Sequence, residues 1–344
     1  MENWINAEGL KDNVILSSRI RLARNLKGYP FPNKINKETA DEIIKNIEDA
    51  FYSNENFKEE FKTIRLDEKT EIEKEMLFQK HIVSKSLLKN KDIGSVILNN
   101  NESISVMINE EDHLRIQGIS SGLSLKEIYE NINRIDNIIE EKLEFAYDSD
   151  IGYLTACPTN VGTGVRASVM VHLPCLCMTK EIENAFNAVS KMGMTIRGLY
   201  GEGSKGYGNI FQISNQITLG PTEEEIINGL NAMIYQIINK EKEARTRLMD
   251  RYKYEMKDRI MRARGILSTA IIIDYKESME LLSMIRLGIE LDLIKDISKT
   301  TLNKLLIDIS LPALQDKFKD EIKNDNINFY RAIVIKENFI KRGV

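Results

Sequence analysis

Apolar and polar residues change their spacing once along this chain. Up to about residue 220, short runs that alternate every second residue lie between segments of helical spacing. Beyond Pro221 nearly every segment repeats at the helical interval. The alternating runs read as strands: SSRIRLARN (17–25), the hairpin SVILNNNESISVMIN (95–109), DHLRIQ (112–117), GVRASVMVHL (164–173), MGMTIRGLY (192–200) and YGNIFQISNQ (207–216). Side chains along a strand point to opposite faces in turn. Arg19 and Arg21 therefore oppose Ile20 and Leu22, and Ile104, Val106 and Ile108 share one face of the hairpin. Arg115 sits with His113 and Gln117, opposite Leu114 and Ile116. Arg166 sits with Ser168, Met170 and His172, opposite Val165, Ala167, Val169 and Val171. Thr195 and Arg197 oppose Met194 and Ile196.

Helical spacing predicts helices at 37–51, 70–80 and 125–143, the last opened by a capping box of Ser124 with Glu127. A second box, Thr222 with Glu225, opens a helix expected to run to Arg264 and to be broken by Gly265. Short hairpin-like connections favour a largely antiparallel sheet with one face on helices and one face polar. The expected fold is α+β, a sheet flanked by helices over 14–240, followed by a smaller all-helical domain over 241–344.

Composition removes several function classes. The chain has 344 residues and a formal net charge of −4, so nucleic acid is not the expected partner. No apolar run reaches the ~18 residues of a membrane span, and the N-terminus lacks a basic-then-apolar signal. Cys157, Cys175 and Cys177 make no paired framework. Cys175 and Cys177 have no second cysteine pair, which argues against zinc. Free thiols suit a reducing, cytoplasmic compartment.

The arginines are unevenly spent. Lysine is the commoner base, yet of only eight arginines before Pro221, five (Arg19, Arg21, Arg115, Arg166 and Arg197) fall on polar strand faces. Guanidinium is the group for multidentate recognition of phosphate oxygens. Five converging cations would repel one another unless a polyanion such as a nucleotide triphosphate neutralised them. The same pattern also arises from five unrelated arginines, each ion-paired at a strand end. Glu110, Glu111 and Asp112 precede Arg115, and Glu202 sits in the glycine-rich RGLYGEGSKGYGN (197–209). That loop contains G-x-G-x-x-G, but a strand pattern follows where a dinucleotide-binding fold needs a helix. No Walker A sequence and no protein-kinase V-A-I-K, H-R-D or D-F-G element occurs. The loop reads as a flap carrying a carboxylate, or as a plain hairpin tip.

Five ordered stretches carry a resemblance. CPTNVGT (157–163) resembles the active-site signature of the phosphagen (ATP:guanidino) kinases. SSRIR, NEEDHLR, VRASV and RGLYGE resemble that family's other motifs, in the same order, over roughly residues 14–240. Within the family the likeness is to the McsB-type protein-arginine kinases of bacteria, through SSRIRLARN, MVHLP and the helical C-terminal part. The resemblance implies MgATP as nucleotide, with Mg²⁺ held mostly by phosphates and water. It implies binding by Arg19, Arg21, Arg115, Arg166 and Arg197, with Ser17, Ser18 and Ile20 beside the first two. Residues Ala167, Ser168, Val169 and Met170, and Gly198, Leu199, Tyr200, Gly201 and Glu202, would complete the nucleotide site, and His81 would lie against the adenine. Glu111 and Glu202 would hold the substrate guanidinium, with Cys157 near the reacting nitrogen.

The implied function is phosphorylation of protein arginines in bacterial stress response and quality-control degradation. Partners implied by the resemblance are proteins with accessible arginines, a zinc-binding activator protein, a stress-gene repressor and a Clp-type ATPase. The apolar helices after Gly265 offer a homodimer surface. Small-molecule members carry a helical domain before the S-x-R-x-R motif. Here that motif begins at Ser17. A degenerate phosphoarginine- or nucleotide-binding module, a small-molecule guanidino kinase and a carboxylate–amine ligase are the competing readings. McsB-type chains also carry an R-D-x-x-R element associated with a phosphoarginine-responsive pocket. The matching RAIVIK (331–336) keeps Arg331 but has Ala332 and Ile335 in place of the acid and the second arginine, so the pocket is expected not to respond.

Overall fold

The computed structural model describes residues 3–6, 14–198, 206–322 and 326–340. Its strands are β1 (Ile15–Arg24), β2 (Phe61–Arg65), β3 (Ser95–Asn99), β4 (Ile104–Ile108), β5 (Leu114–Ser121), β6 (Tyr147–Asp148), β7 (Gly152–Tyr153), β8 (Val165–His172), β9 (Met194–Gly198) and β10 (Ile210–Asn215). Its helices are α1 (Lys37–Phe51), α2 (Glu55–Glu60), α3 (Glu71–Gln79), α4 (Lys85–Lys89), α5 (Leu125–Glu140), α6 (Pro174–Met178) and α7 (Ile182–Lys191). The C-terminal half adds α8 (Glu223–Arg251), α9 (Lys253–Thr269), α10 (Tyr275–Glu290), α11 (Lys299–Asp308), α12 (Leu311–Phe318) and α13 (Ile327–Ile340). The main sheet has eight strands in the order β2-β3-β4-β5-β1-β8-β10-β9, and β6-β7 form a small hairpin. The pairs β2–β3, β3–β4, β4–β5 and β1–β5 are antiparallel, as the hairpin pattern predicts.

The chain divides into two compact units. One comprises Met1–Trp4, Ser17–Val169 and Ser214–Asn231; the other comprises Ile5–Leu16, Met170–Ile213 and Ala232–Val344.

In the first unit the strand register sorts the side chains. Val96 stands opposite Met107, Met107 opposite Arg115, Ser105 opposite Gln117 and Gln117 opposite Arg21. Residues facing each other across a ladder share a face. One face is therefore apolar at Val96, Leu98 and Met107, where Ile82, Leu87, Leu77 and Phe78 cover it. The same face turns polar at Arg115, Gln117, Arg21 and Arg19. The other face carries Ile20, Leu22, Ile97, Val106, Ile108, Leu114 and Ile116, all buried. Each such Ile or Leu contributes about 1.5–3 kcal/mol on leaving water, so a one-residue slip of β1 would be heavily penalised. Helix α5 packs on β5 and α1, burying Ile128, Ile132 and Ile135.

In the second unit α10 packs on α9, and α13 on α9. Gly288 allows the close approach: a Cβ there would lie 2.6 Å from Ile260 Cγ2. Buried polar groups are mostly paired. Glu241 accepts from the Cys175 and Leu176 amides, both at 2.9 Å, Arg245 donates to Glu290 at 2.6 Å, and His172 Nε2 lies 2.7 Å from Ser283 Oγ.

Two helix expectations need correction. Helix α8 ends at Arg251 and α9 runs straight through Gly265. Gly265 has open space around it, and a glycine in an exposed helix interior costs only about 1 kcal/mol, too little to stop a packed helix. The break falls at Tyr252 (φ −133°, ψ 40°). Ser124 makes no side-chain cap to α5; its hydroxyl donates to the Ser121 carbonyl at 3.2 Å. The Thr222–Glu225 box is formed, with Thr222 N to Glu225 Oε2 at 2.8 Å and Glu225 N to Thr222 Oγ1 at 3.2 Å.

Candidate active site

The first unit gathers four of the five strand arginines. Arg19 and Arg21 lie on β1, between β5 with Arg115 and β8 with Arg166. Arg21 stands opposite Gln117, and Arg115 opposite Ala23, so Arg115 lies one side-chain step along the same face. Ser168 Oγ reaches the Arg19 carbonyl at 3.5 Å, fixing β8 beside β1. All four guanidiniums are half-buried. Burial first, then Arg115 and Arg166, bring the Arg19 guanidinium down to about 10. Arg21 is pushed well below its ordinary value by burial, then by Arg115, Arg19 and Arg166, with Glu110 opposing. Its Nε is buried with no hydrogen-bond partner. Two unit charges 4 Å apart interact by about 4 kcal/mol at an effective dielectric of ~20. A face that holds several cations in mutual repulsion, with a donor left over, is built to receive an anion.

Among the described residues the Glu110 carboxylate meets the cluster. Asn109, in the left-handed conformation at φ 57°, turns the chain between β4 and β5, and its amide bonds the His113 carbonyl at 3.0 Å. The turn carries Glu110 inward, 1% exposed, onto Arg115 and the Ser84 hydroxyl. Burial alone would raise the Glu110 carboxyl. Arg115, Ser84, the Glu111 amide and Arg21 together hold it below its ordinary value. Glu110 Oε2 accepts that Glu111 amide at 2.8 Å, while the Glu111 side chain is exposed.

Asp112 ties this turn to the segment before Cys157. Its Oδ1 accepts from Asn25 Nδ2 at 2.6 Å and from the Ala156 amide at 2.7 Å. Asn25 also donates to the Leu154 carbonyl at 3.0 Å and accepts from the His113 amide at 2.9 Å. Cys157 follows, half-buried, with Sγ 3.1 Å from Thr159 Oγ1 and its carbonyl accepting the Thr155 hydroxyl at 2.8 Å. Glu111 and Cys157 are thus mounted on two turns joined by one buried carboxylate.

His81 stands at the edge of the arginine face. It has φ 62°, its ring centroid is 5.7 Å from that of Trp4, and its carbonyl accepts Gln117 Nε2 at 2.7 Å. Burial, then Arg19 and Arg21, push its imidazole down to about 3, so the ring is neutral, and Nε2 is buried without a partner.

The remaining expected residues fall elsewhere. Ser17, Ser18, Ile20, Ala167, Ser168 and Val169 are buried in β1 and β8, and the Ser18 hydroxyl is taken by the Gly122 carbonyl at 2.6 Å. Met170, Arg197 and Gly198 belong to the second unit, Arg197 exposed on β9. Leu199, Tyr200, Gly201 and Glu202 lie outside the described residues. Glu110, Asp112, Asn25 and Trp4 were not singled out for these contacts by sequence. Only Glu110 had a usable signal, an acid five residues before an arginine across a turn.

The comparisons with known proteins agree over most of the chain. Residues 42–244 match the family model described as ATP:guanido phosphotransferase, C-terminal catalytic domain, and residues 253–343 match Protein-arginine kinase McsB C-terminal domain. The chain is 49% identical over 338 residues to the protein-arginine kinase of Clostridium kluyveri, covering 98% of each chain. It is 48% identical over 339 residues to that of Clostridium acetobutylicum, covering 98% of this chain and 99% of the other. Among solved structures it is similar to lombricine kinase, with TM-score 0.59 and 27% identity, covering 69% of this chain and 68% of that one. The duplicated taurocyamine kinase from Schistosoma mansoni with bound transition-state-analogue components shares the fold, with TM-score 0.60 and 22% identity, covering 78% of this chain and 41% of that one.

Proposed function

Since this chain belongs to the ATP:guanido phosphotransferase family and transfers the γ-phosphoryl group of ATP to arginine side chains of proteins, we propose that Arg19, Arg21, Arg115 and Arg166 hold the phosphates of MgATP. The observation that carries this reading is the depression of the Arg19 and Arg21 guanidiniums by burial and then by their cationic neighbours Arg115 and Arg166, beside a buried, unpartnered Arg21 Nε. Cationic side chains reject a bare metal ion, so the Mg²⁺ that fits here is one carried in on the phosphate oxygens. The neutral His81 ring, beside Trp4, supplies a flat apolar surface for the adenine.

Glu111 holds the incoming guanidinium in this reading, with Cys157 near the reacting nitrogen. A guanidinium is a poor nucleophile because it stays protonated at neutral pH. Two of its N–H groups bond to carboxylate, which turns a nitrogen lone pair toward the γ-phosphorus. That nitrogen forms the new N–P bond as the bond from phosphorus to the β,γ-bridging oxygen breaks. ADP leaves with that oxygen, and the N–H proton passes to Glu111. Alignment and charge stabilisation supply most of the acceleration. Arg197, Gly198, Leu199, Tyr200, Gly201 and Glu202 enter the site on motif resemblance alone, with Glu202 as the second carboxylate. The division into a catalytic part, 14–240, and a helical part, 241–344, is supported by the two family models, which meet in the same region.

The stress and quality-control role belongs to the same proposal. So do a zinc-binding activator, a stress-gene repressor, a Clp-type ATPase, a homodimer through the C-terminal helices and a cytoplasmic location. These rest on the resemblance. No helix among the described residues is long and apolar enough to cross a membrane. The decisive experiment incubates the protein with γ-labelled ATP and an unfolded, arginine-containing protein. The expected product is acid-labile, base-stable phosphate mapped to arginine. Nucleotide binding without any transfer would leave only a binding module.

A further inference from the structure

A second concave surface in the first unit has no part in the chemistry above. It is a groove of about 550 Å³ between the C-terminal end of α5, the β6–β7 hairpin and the segment leading into α8. Three large apolar or aromatic side chains in it face water: Tyr147, 60% exposed, Leu219, 53%, and Ile151, 42%. Scattered exposed apolar residues are ordinary, but three in one concavity mark a contact surface. The charges along it are all of one sign. Glu140, Asp150 and Glu223 line it, and no lysine or arginine does. None of the three forms an ion pair with a described residue. The half-buried Tyr153 phenol registers two of them: burial first, against the opposing Arg24, then Asp136, Glu140 and Glu223 push it up to about 12.

The groove shares a wall with the Cys157 turn. Thr218, on its lining, donates its hydroxyl to the Thr159 carbonyl at 3.0 Å and to the Val161 carbonyl at 2.7 Å. Gly162 passes so close that a Cβ there would lie 2.3 Å from the Thr218 carbonyl oxygen. Tyr153 N bonds the Gly162 carbonyl at 2.8 Å. The segment that presents Cys157 to a guanidinium is therefore also the side of the groove.

We propose that this groove takes the substrate polypeptide beside its target arginine, preferring one lysine or arginine and one apolar side chain in the flanking residues. The inference rests on the protein-arginine kinase reading and adds a docking subsite to it. Unpaired carboxylates beside an exposed tyrosine ring suit a flanking cation through charge and cation–π attraction. Ile151 and Leu219 suit the apolar neighbour. Binding energy gathered at such a remote subsite favours polypeptides over free guanidino compounds.

The test uses the full chain and two peptides, each with a single arginine. One has lysine and leucine flanks; the other has glutamate and serine flanks. Wild-type kcat/KM is expected to favour the lysine–leucine peptide at least tenfold, with the preference shrinking in high salt. The triple variant Glu140→Gln, Asp150→Asn, Glu223→Gln is expected to bring the ratio within about threefold, mainly through KM, while the glutamate–serine peptide keeps its kcat. Asp150→Asn alone, on an exposed hairpin, gives a smaller change in the same direction and serves if the triple variant does not fold. MgATP-induced thermal stabilisation checks that each variant retains its nucleotide site. Equal rates for both peptides in the wild type, or a ratio unmoved by the variants, overturns the docking subsite. Conversion of a dimer to a monomer by the triple variant, with the ratio unmoved, assigns the groove to a second copy of this chain and also overturns it. Failure to phosphorylate arginine in either peptide strikes the function itself instead.

Discussion

Replacing Glu110 by glutamine keeps the side chain's shape and removes a negative charge that the structure seats on the arginine face. Glu110 is 1% exposed and its partner Arg115 18%. Removing one member of a buried pair costs about 3–5 kcal/mol. Glutamine still offers one oxygen to Arg115 and Ser84, and Arg115 reaches some water, so about 2–3 kcal/mol is the working figure. For a unit of this size each kcal/mol moves the midpoint by about 2–4 °C, so ligand-free Glu110→Gln should unfold about 4–12 °C lower. Trp4, the chain's single tryptophan, packs against His81 in the same unit and reports the transition by fluorescence. Nucleotide should act in the opposite sense. A phosphate chain entering the wild type meets the Glu110 carboxylate as well as the arginines; in the variant that carboxylate is gone. Relief of that repulsion, screened at the surface, is taken as about 1.4 kcal/mol, or tenfold in Kd. The MgATP-induced rise in midpoint should therefore be larger in the variant. The sign with pH also follows. The folded carboxyl lies below its ordinary value, so its contribution is present above the unfolded carboxylate range and is lost as pH falls through the folded value. The gap between wild type and variant should close in acid. An unchanged ligand-free midpoint would refute the ion pair. An equal or smaller MgATP shift would refute the placement of phosphate on this face.

Glu111→Gln is expected to lower kcat by several tenfold with the MgATP thermal shift retained, because the proposed site sets that exposed carboxylate on the guanidinium and not on the nucleotide; normal turnover would remove it from the chemistry. Free phosphoarginine is expected not to stimulate the enzyme. Arg331 is consumed by the Ile309 carbonyl at 3.0 Å, the Ile273 carbonyl at 3.2 Å and Asn328 Oδ1, and Ala332 and Ile335 are buried; saturable activation would contradict this. Glu241 should set a pH slope: burial, opposed by the Leu176 and Cys175 amides, raises its carboxyl to about 7. Stability linked to it is full below the unfolded carboxylate range and declines as pH rises toward 7, by up to about 3 kcal/mol. Glu241→Gln should flatten that decline, measured as the unfolding midpoint between pH 4.5 and 8.

What could be read from the chain was whatever repeats at a fixed interval. Two-residue alternation placed Arg19, Arg21, Arg115 and Arg166 on polar strand faces, and the β1–β5 register with the strand order brings those faces together. The Thr222–Glu225 box is likewise a rule of spacing, and it formed. Ser124 obeyed the same spacing and formed no cap, because its hydroxyl found the Ser121 carbonyl and its amide the Ser18 hydroxyl, 106 residues away in sequence. Gly265 failed as a stop signal for a related reason, since local propensity is small beside helix packing. The contacts hidden from sequence are those that close long loops through one buried polar group. Asp112 joins Asn25 and Ala156 across 87 and 44 residues, and nothing in the spacing of those three marks them as partners. The proposed roles of Glu111 and Cys157 came from the family resemblance carried by NEEDHLR and CPTNVGT, and not from any spacing. The Asp112 clamp that joins their two turns was not legible, because an aspartate buried to accept an amide has the same letter as one on the surface.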